Sequence, residues 1–126
     1  MRDHAMALEE AGFDFTATAG HVLGQPDGTH PARAQAQYTG PFHDPFVTFA
    51  FLAAVTTRMR FMSAILILPS LPSVLVARQA AELALISGGR FDLGIGVSWN
   101  AAEYRALGQD FRTRGARMEE QVTVLR

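Results

Sequence analysis

A histidine that closes an alternating stretch is the first residue with chemistry in reach. "FDFTATAGH", Phe13 to His21, alternates along much of its length and is rich in Phe and Thr, as a strand is. An imidazole at the end of such a strand can donate or accept a proton near neutral pH. The alternative is a loop histidine bonded to a backbone carbonyl, and the residues alone favour it. His30 and His43 lie in loop sequence with no partner at metal-ligand spacing, and His4 falls in the solvated turn of a first helix. With no cysteine in the chain, disulfides and thiolate metal sites are excluded.

The second stretch is "GRFDLGIGVSWNAAEY", Gly89 to Tyr104. A dinucleotide fingerprint needs three glycines so that the backbone can approach a pyrophosphate at a helix N-terminus. Gly94 and Gly96 supply two, but Trp99 stands at the third place, where its bulk blocks close helix packing. The glycines then read as part of a buried strand, small where a neighbouring element comes close. Asn100 suits the N-cap of a following helix better than a bond to a carbonyl. Glu103 reads as a solvated residue of that helix rather than an acid catalyst.

These residues need elements to position them, and the chain alternates strand and helix signals. Helix formers at 3–11 stop at Gly12, and a strand follows over 13–18. Residues 20–43 carry Gly, Pro and Gln without periodicity, a loop long enough to be functional or disordered. Asp44 with Pro45 is an N-cap and first helical residue, opening a helix over 45–57 that is apolar almost all round and therefore expected to be buried on several sides. "RFMSAILIL" predicts a strand over 60–67, apolar enough for burial on both faces of a parallel sheet. A helix over 73–87 ends at Gly88 and Gly89, a third strand runs over 91–96, and Met118, Val122 and Leu125 mark an amphipathic helix over 114–125. Strands separated by helices predict an α/β fold with a right-handed parallel sheet.

Composition narrows the partners. The chain has 126 residues, 48% hydrophobic and 18% charged, enough for one globular domain with a modest core. A net charge of −1 gives no electrostatic footprint for nucleic acid or an anionic membrane. The most apolar run, "FMSAILILPSLPSVLVA", is broken by Pro69, Pro72 and three serines, so a membrane span is not expected. The N-terminus lacks the continuous apolar core of a signal peptide, and a cytoplasmic location is expected.

Three segments carry a family resemblance: "EEAGFDFTATAGH", "DPFVTFAFLAAVTTRMRF", and the run from "AILILPSLPSVLVARQAAELALISGG" through "RFDLGIGVSWNAAEYRALGQDFRTRGARMEEQVTVLR". Together they resemble the N-terminal half of the bacterial luciferase-like monooxygenase superfamily, and most of all its branch using the deazaflavin coenzyme F420. The resemblance implies a TIM-type (βα)8 barrel binding a flavin or deazaflavin at the C-terminal ends of its strands. A full barrel needs about 250 residues. Residues 1–126 are therefore expected to form an N-terminal fragment, a partial barrel of about three parallel strands with flanking helices.

The resemblance also implies site roles. His21 matches a histidine beside the reactive ring. The bond from Ala64 to Ile65 matches a non-prolyl cis peptide at a bulge that supports the central ring, although the residues alone make Ala64 and Ile65 plain sheet core. Gly94 and Gly96 then let a bulky cofactor or side chain approach, Val97 and Ser98 offer amides and a hydroxyl to polar cofactor atoms, and Trp99 forms an aromatic wall. Gly20 stands where an acidic residue is usual, Ser98 where glycine is usual, and Met62 with Ser63 where glycine and threonine are usual. The implied activity is hydride transfer from reduced F420 to a small organic substrate. The alternatives are an FMN-dependent monooxygenase using dioxygen and a non-catalytic oligomerising subunit. The expected partner is a second copy or a complementary C-terminal half, because the predicted sheet would otherwise leave unpaired edges.

Overall fold

The computed structural model describes residues 1–23 and 42–126, so His30 and most of the expected loop lie outside the described residues. Helix α1 (Arg2–Glu10) leads into strand β1 (Phe15–Gly20). Helix α2 (Pro45–Val55) precedes β2 (Arg60–Ile67), and α3 (Ser73–Ile86) precedes β3 (Phe91–Asp92) and β4 (Ile95–Gly96). Helices α4 (Ala101–Ala106) and α5 (Arg114–Leu125) complete the described chain. All strand pairings are parallel: β1 lies on one side of β2, while β3 and then β4 lie on the other. The α/β fold with parallel strands and flanking helices is the one the alternating pattern predicts.

Local chemistry sets these elements. The Asp44 side chain accepts the Val47 amide at 2.9 Å and Pro45 occupies the first turn, which fixes the start of α2. Strand β2 and helix α5 keep their predicted bounds, and α1, α2 and α3 differ from theirs by one or two residues. The third strand differs more: the predicted 91–96 is two short pieces separated by Leu93 and Gly94. Between them the Ser63 hydroxyl donates to the Gly94 carbonyl at 2.9 Å and accepts the Gly94 amide at 3.0 Å, so a side chain replaces the regular ladder.

The core sits between the sheet and the helices. Phe49 of α2 lies 5.4 Å, centroid to centroid, from Phe61 of β2 and 6.1 Å from Phe91. Met59, Leu66, Leu68, Val76 and Leu83 belong to the same buried cluster. Arg90 ties three elements together, donating to the carbonyls of Ala53, Met59 and Ser87 and to the Thr56 hydroxyl. Helix α5 crosses the segment after β2, where Arg117 reaches the Pro69 carbonyl and Gln121 that of Leu71.

Helix α2 departs from the burial its composition suggests. Its one side packs on the sheet, but Val47 is 72% and Phe51 47% exposed, and on α3 Leu85 is 76% exposed. Phe15 and Ala17 of β1 and Ala64 and Ile65 of β2 are exposed as well. No helix among the described residues is long and apolar enough to cross a membrane.

One carboxylate outside the site organises the turn into β2. Glu9 accepts the amides of Thr57, Arg58 and Met59, and those bonds, Arg58's foremost, lower its pKa from 4.5 to about 2. A depressed carboxyl pKa contributes stability above the ordinary value and loses it as pH falls through the folded value. The Tm advantage of the wild type over Glu9→Gln should therefore be full above pH 4.5 and shrink progressively toward pH 2. A pH-independent difference in Tm would contradict this.

Candidate functional site

The site begins with an extra residue in β2. Thr18 pairs with Ser63 but Gly20 with Leu66, so Ala64 and Ile65 together oppose Ala19. On the other side Met62 pairs with Asp92 and Leu66 with Ile95, which again leaves one residue too many in β2. The bulge thus faces both neighbours, and the peptide between Ala64 and Ile65 is cis.

Glycines on both flanking strands make room for it. A Cβ at Gly20 would lie 2.9 Å from the Leu66 Cα, which leaves no space for the acidic side chain usual there. A Cβ at Gly96 would meet the Ile65 side chain at 2.8 Å. At Gly94 it would sit 2.0 Å from the Ser63 carbonyl oxygen. This corrects one expectation: the space at Gly94 is taken by the backbone of β2 and not by a cofactor, while Gly96 does admit a bulky side chain, that of Ile65.

His21 follows β1 directly and meets a partner from the far end of the chain. Its Nδ1 lies 2.8 Å from Oε2 of Glu103 on α4. The other carboxylate oxygen, Oε1, accepts the Val22 amide at 2.7 Å and the Leu23 amide at 3.2 Å. Glu103 is completely buried, so the expectation of a solvated helix residue is wrong. Burial pushes its carboxyl up, but the His21 bond and the Leu23 and Val22 amides outweigh it and hold the group below its ordinary value. Asn100 sits three residues earlier as the N-cap, its side chain accepting the Ala102 amide at 3.1 Å. That spacing is the one signal the sequence offers, since a glutamate three residues after a cap normally reaches back to its own helix. Here it turns to a segment 82 residues away.

The loop from β4 to α4 is fixed mostly by its own residues. The buried Tyr104 hydroxyl donates to the Val97 carbonyl at 2.7 Å, and its ring meets Phe111 edge-on at 5.4 Å. Ser98 adopts φ 56°, the conformation that explains why glycine suits this place, and its hydroxyl oxygen accepts the Asn100 amide at 3.2 Å. Trp99 then lies beside His21, with ring centroids 6.5 Å apart. His21, the Ala64–Ile65 bulge and the Gly96–Trp99 loop thus meet at the C-terminal end of the sheet. His43 and His4 are exposed.

Such an arrangement fits a flat aromatic cofactor. Ile65 and Val97 are 38% and 39% exposed and offer apolar surface, Trp99 adds an aromatic flank, and His21 with Glu103 supplies a polar edge. Gly20, His21 and Val22 also border a recess of about 430 Å³ shared with Phe46, Leu66 and Leu71.

Fold and site define part of a (βα)8-type barrel with the candidate site at the strand C-termini. The chain belongs to the luciferase-like monooxygenase family, whose model matches residues 1–126. An uncharacterized protein of Mycobacterium tuberculosis is 44% identical over 86 residues, 68% of this chain and 30% of that protein. Pyrimidine monooxygenase RutA of Bradyrhizobium is 42% identical over 65 residues, 52% of this chain and 18% of its own. The oxygenating constituent of 3,6-diketocamphane monooxygenase from Pseudomonas putida, solved with FMN, matches 98% of this chain and 32% of its own with a TM-score of 0.76 at 19% identity. The chain spans less than a third of the length of each of these proteins.

Proposed function

We propose that the chain supplies the first part of a flavin site in an oxidoreductase that acts on a small organic substrate with reduced FMN and dioxygen. The observation that carries this is the convergence of an exposed apolar bulge, an indole and a carboxylate-paired imidazole at one end of a parallel sheet. When bound, a reduced flavin supplies the electrons. Ala64, Ile65, Val97, Ser98 and Trp99 would hold it, and Gly96 leaves room for the Ile65 side chain. His21 gives or takes a proton. The FMN named for the Pseudomonas protein and the monooxygenase chemistry of RutA support this choice. A second reading, hydride transfer from reduced coenzyme F420, is favoured by the resemblance of the three quoted segments together to the F420 branch.

The exposed faces of α2 and β1 support association with a second copy or with a complementary half of the barrel. Titration of the whole protein with FMN and, separately, with F420, followed by fluorescence quenching, tests the reading. Saturable FMN binding tighter than F420 by about tenfold, or about 1.4 kcal/mol, is expected. The reverse preference selects the hydride-transfer reading, and no saturable binding of either overturns both.

A further inference from the structure

We infer that Glu103 is a positioning residue that fixes the tautomer of His21, placing the proton on Nδ1 so that Nε2 is the proton-accepting nitrogen of the neutral ring. The assignment follows from which atoms can donate. Glu103 Oε1 faces two backbone amides, Val22 and Leu23, which can only donate. A carboxylate receiving both on one oxygen is best served as the anion, and the bonds around Glu103 favour its ionised form over the neutral one. An ionised carboxylate has no proton to give, so the 2.8 Å contact from Oε2 to His21 requires the hydrogen on Nδ1. In neutral imidazole the other nitrogen then carries the lone pair.

The same carboxylate fixes the ring's position. Its two amide bonds hold the segment directly after β1, and its own backbone lies in α4, whose N-terminus is capped by Asn100. Complete burial of Glu103 keeps water from competing for either oxygen. One side chain thus joins the turn after β1 to the helix after β4 and sets which ring nitrogen donates. This goes beyond the flavin reading and rests on it only for the consequence to turnover.

Glu103→Gln separates tautomer from packing, because the amide has the same shape but a single acceptor oxygen. With that oxygen kept by the Val22 and Leu23 amides, the NH2 group faces His21, Nδ1 must accept, and the proton moves to Nε2. In the whole protein labelled with ¹⁵N at histidine, two-bond ¹H–¹⁵N correlations at a pH where the ring is neutral should show the Nδ1–H form in the wild type and the Nε2–H form in Glu103→Gln. Turnover of reduced flavin should fall by about a hundredfold or more, with KM changed by less than about threefold, as expected when a general base is present in the wrong tautomer. An Nε2–H signal in the wild type, which needs no variant to fold, or an unchanged pattern in Glu103→Gln, overturns the assignment. A wild type that shows the Nδ1–H form but binds no flavin overturns the flavin reading and leaves the role of Glu103 standing.

Discussion

Gly94→Ala is expected to destabilise the protein by at least about 3 kcal/mol, the range of severe overpacking. A Cβ there would lie 2.0 Å from the Ser63 carbonyl oxygen, far inside van der Waals contact and against backbone rather than a movable side-chain tip. Ser63 cannot give way easily. Its strand pairs with β1 through Thr18, its hydroxyl bridges both polar groups of Gly94, and the neighbouring Leu66 amide bonds the Gly94 carbonyl at 2.8 Å. Relief would open the junction between β3 and β4 and move Gly96 away from Ile65, which disturbs the site as well as the fold.

Gly88→Ala and Gly108→Ala are the matched controls. Both positions face open space, but at φ +67° and +69° they carry a conformational penalty of about 1 kcal/mol instead of a clash. Urea midpoints at constant m-value measure all three. A loss of less than about 1 kcal/mol in Gly94→Ala would show that β2 yields at the bulge, and the steric account would fail.

What the sequence discloses about this fold follows the range of the interactions. Asp44 with Pro45, the apolar run of β2 and the glycine pair after α3 are local signals, and the elements they mark form where predicted. The Gly94 and Gly96 positions could be recognised as places of close approach, but what approaches is fixed by an extra residue in another strand some 30 positions away. For the same reason the third strand breaks. Ser63 replaces its ladder, and a serine in an apolar run gives no sign that its hydroxyl will bridge a neighbouring glycine.

The candidate site divides the same way. His21 is noticeable from its place after a strand, but the residues alone favour a loop histidine, and its assignment, like those of the Ala64–Ile65 bond and the Gly96–Trp99 loop, rests on family resemblance. Glu103 could not be chosen, because a charged residue on a short helix is solvated unless a distant partner is known. Its burial depends on three donors that lie about 80 residues earlier. The Asn100 cap depends on chain neighbours and is readable, whereas the burial of Glu103 depends on a tertiary partner and is not.

If the proposed flavin reading holds, His21→Asn should lower turnover of the holoenzyme with reduced flavin by about a hundredfold to ten-thousandfold, the usual contribution of a positioned acid or base. Asparagine is chosen because its amide nitrogen hangs on Cγ, as Nδ1 does, and can still donate to Glu103 Oε2, the atom 2.8 Å from Nδ1 in the wild type. The carboxylate keeps a donor on Oε2 and both amides on Oε1, so the segment at Val22 and Leu23 should stay in place. What is lost is a ring able to exchange a proton. Flavin affinity should then change by less than about threefold, since Ile65, Val97 and Trp99 still offer their surfaces, and a drop in kcat without a matching change in binding marks an interaction made only during the reaction. The measurement is steady-state turnover alongside flavin quenching on the same preparation. If kcat stays within about threefold of the wild type, His21 moves no proton, and its bond to Glu103 serves only to fix the turn after β1.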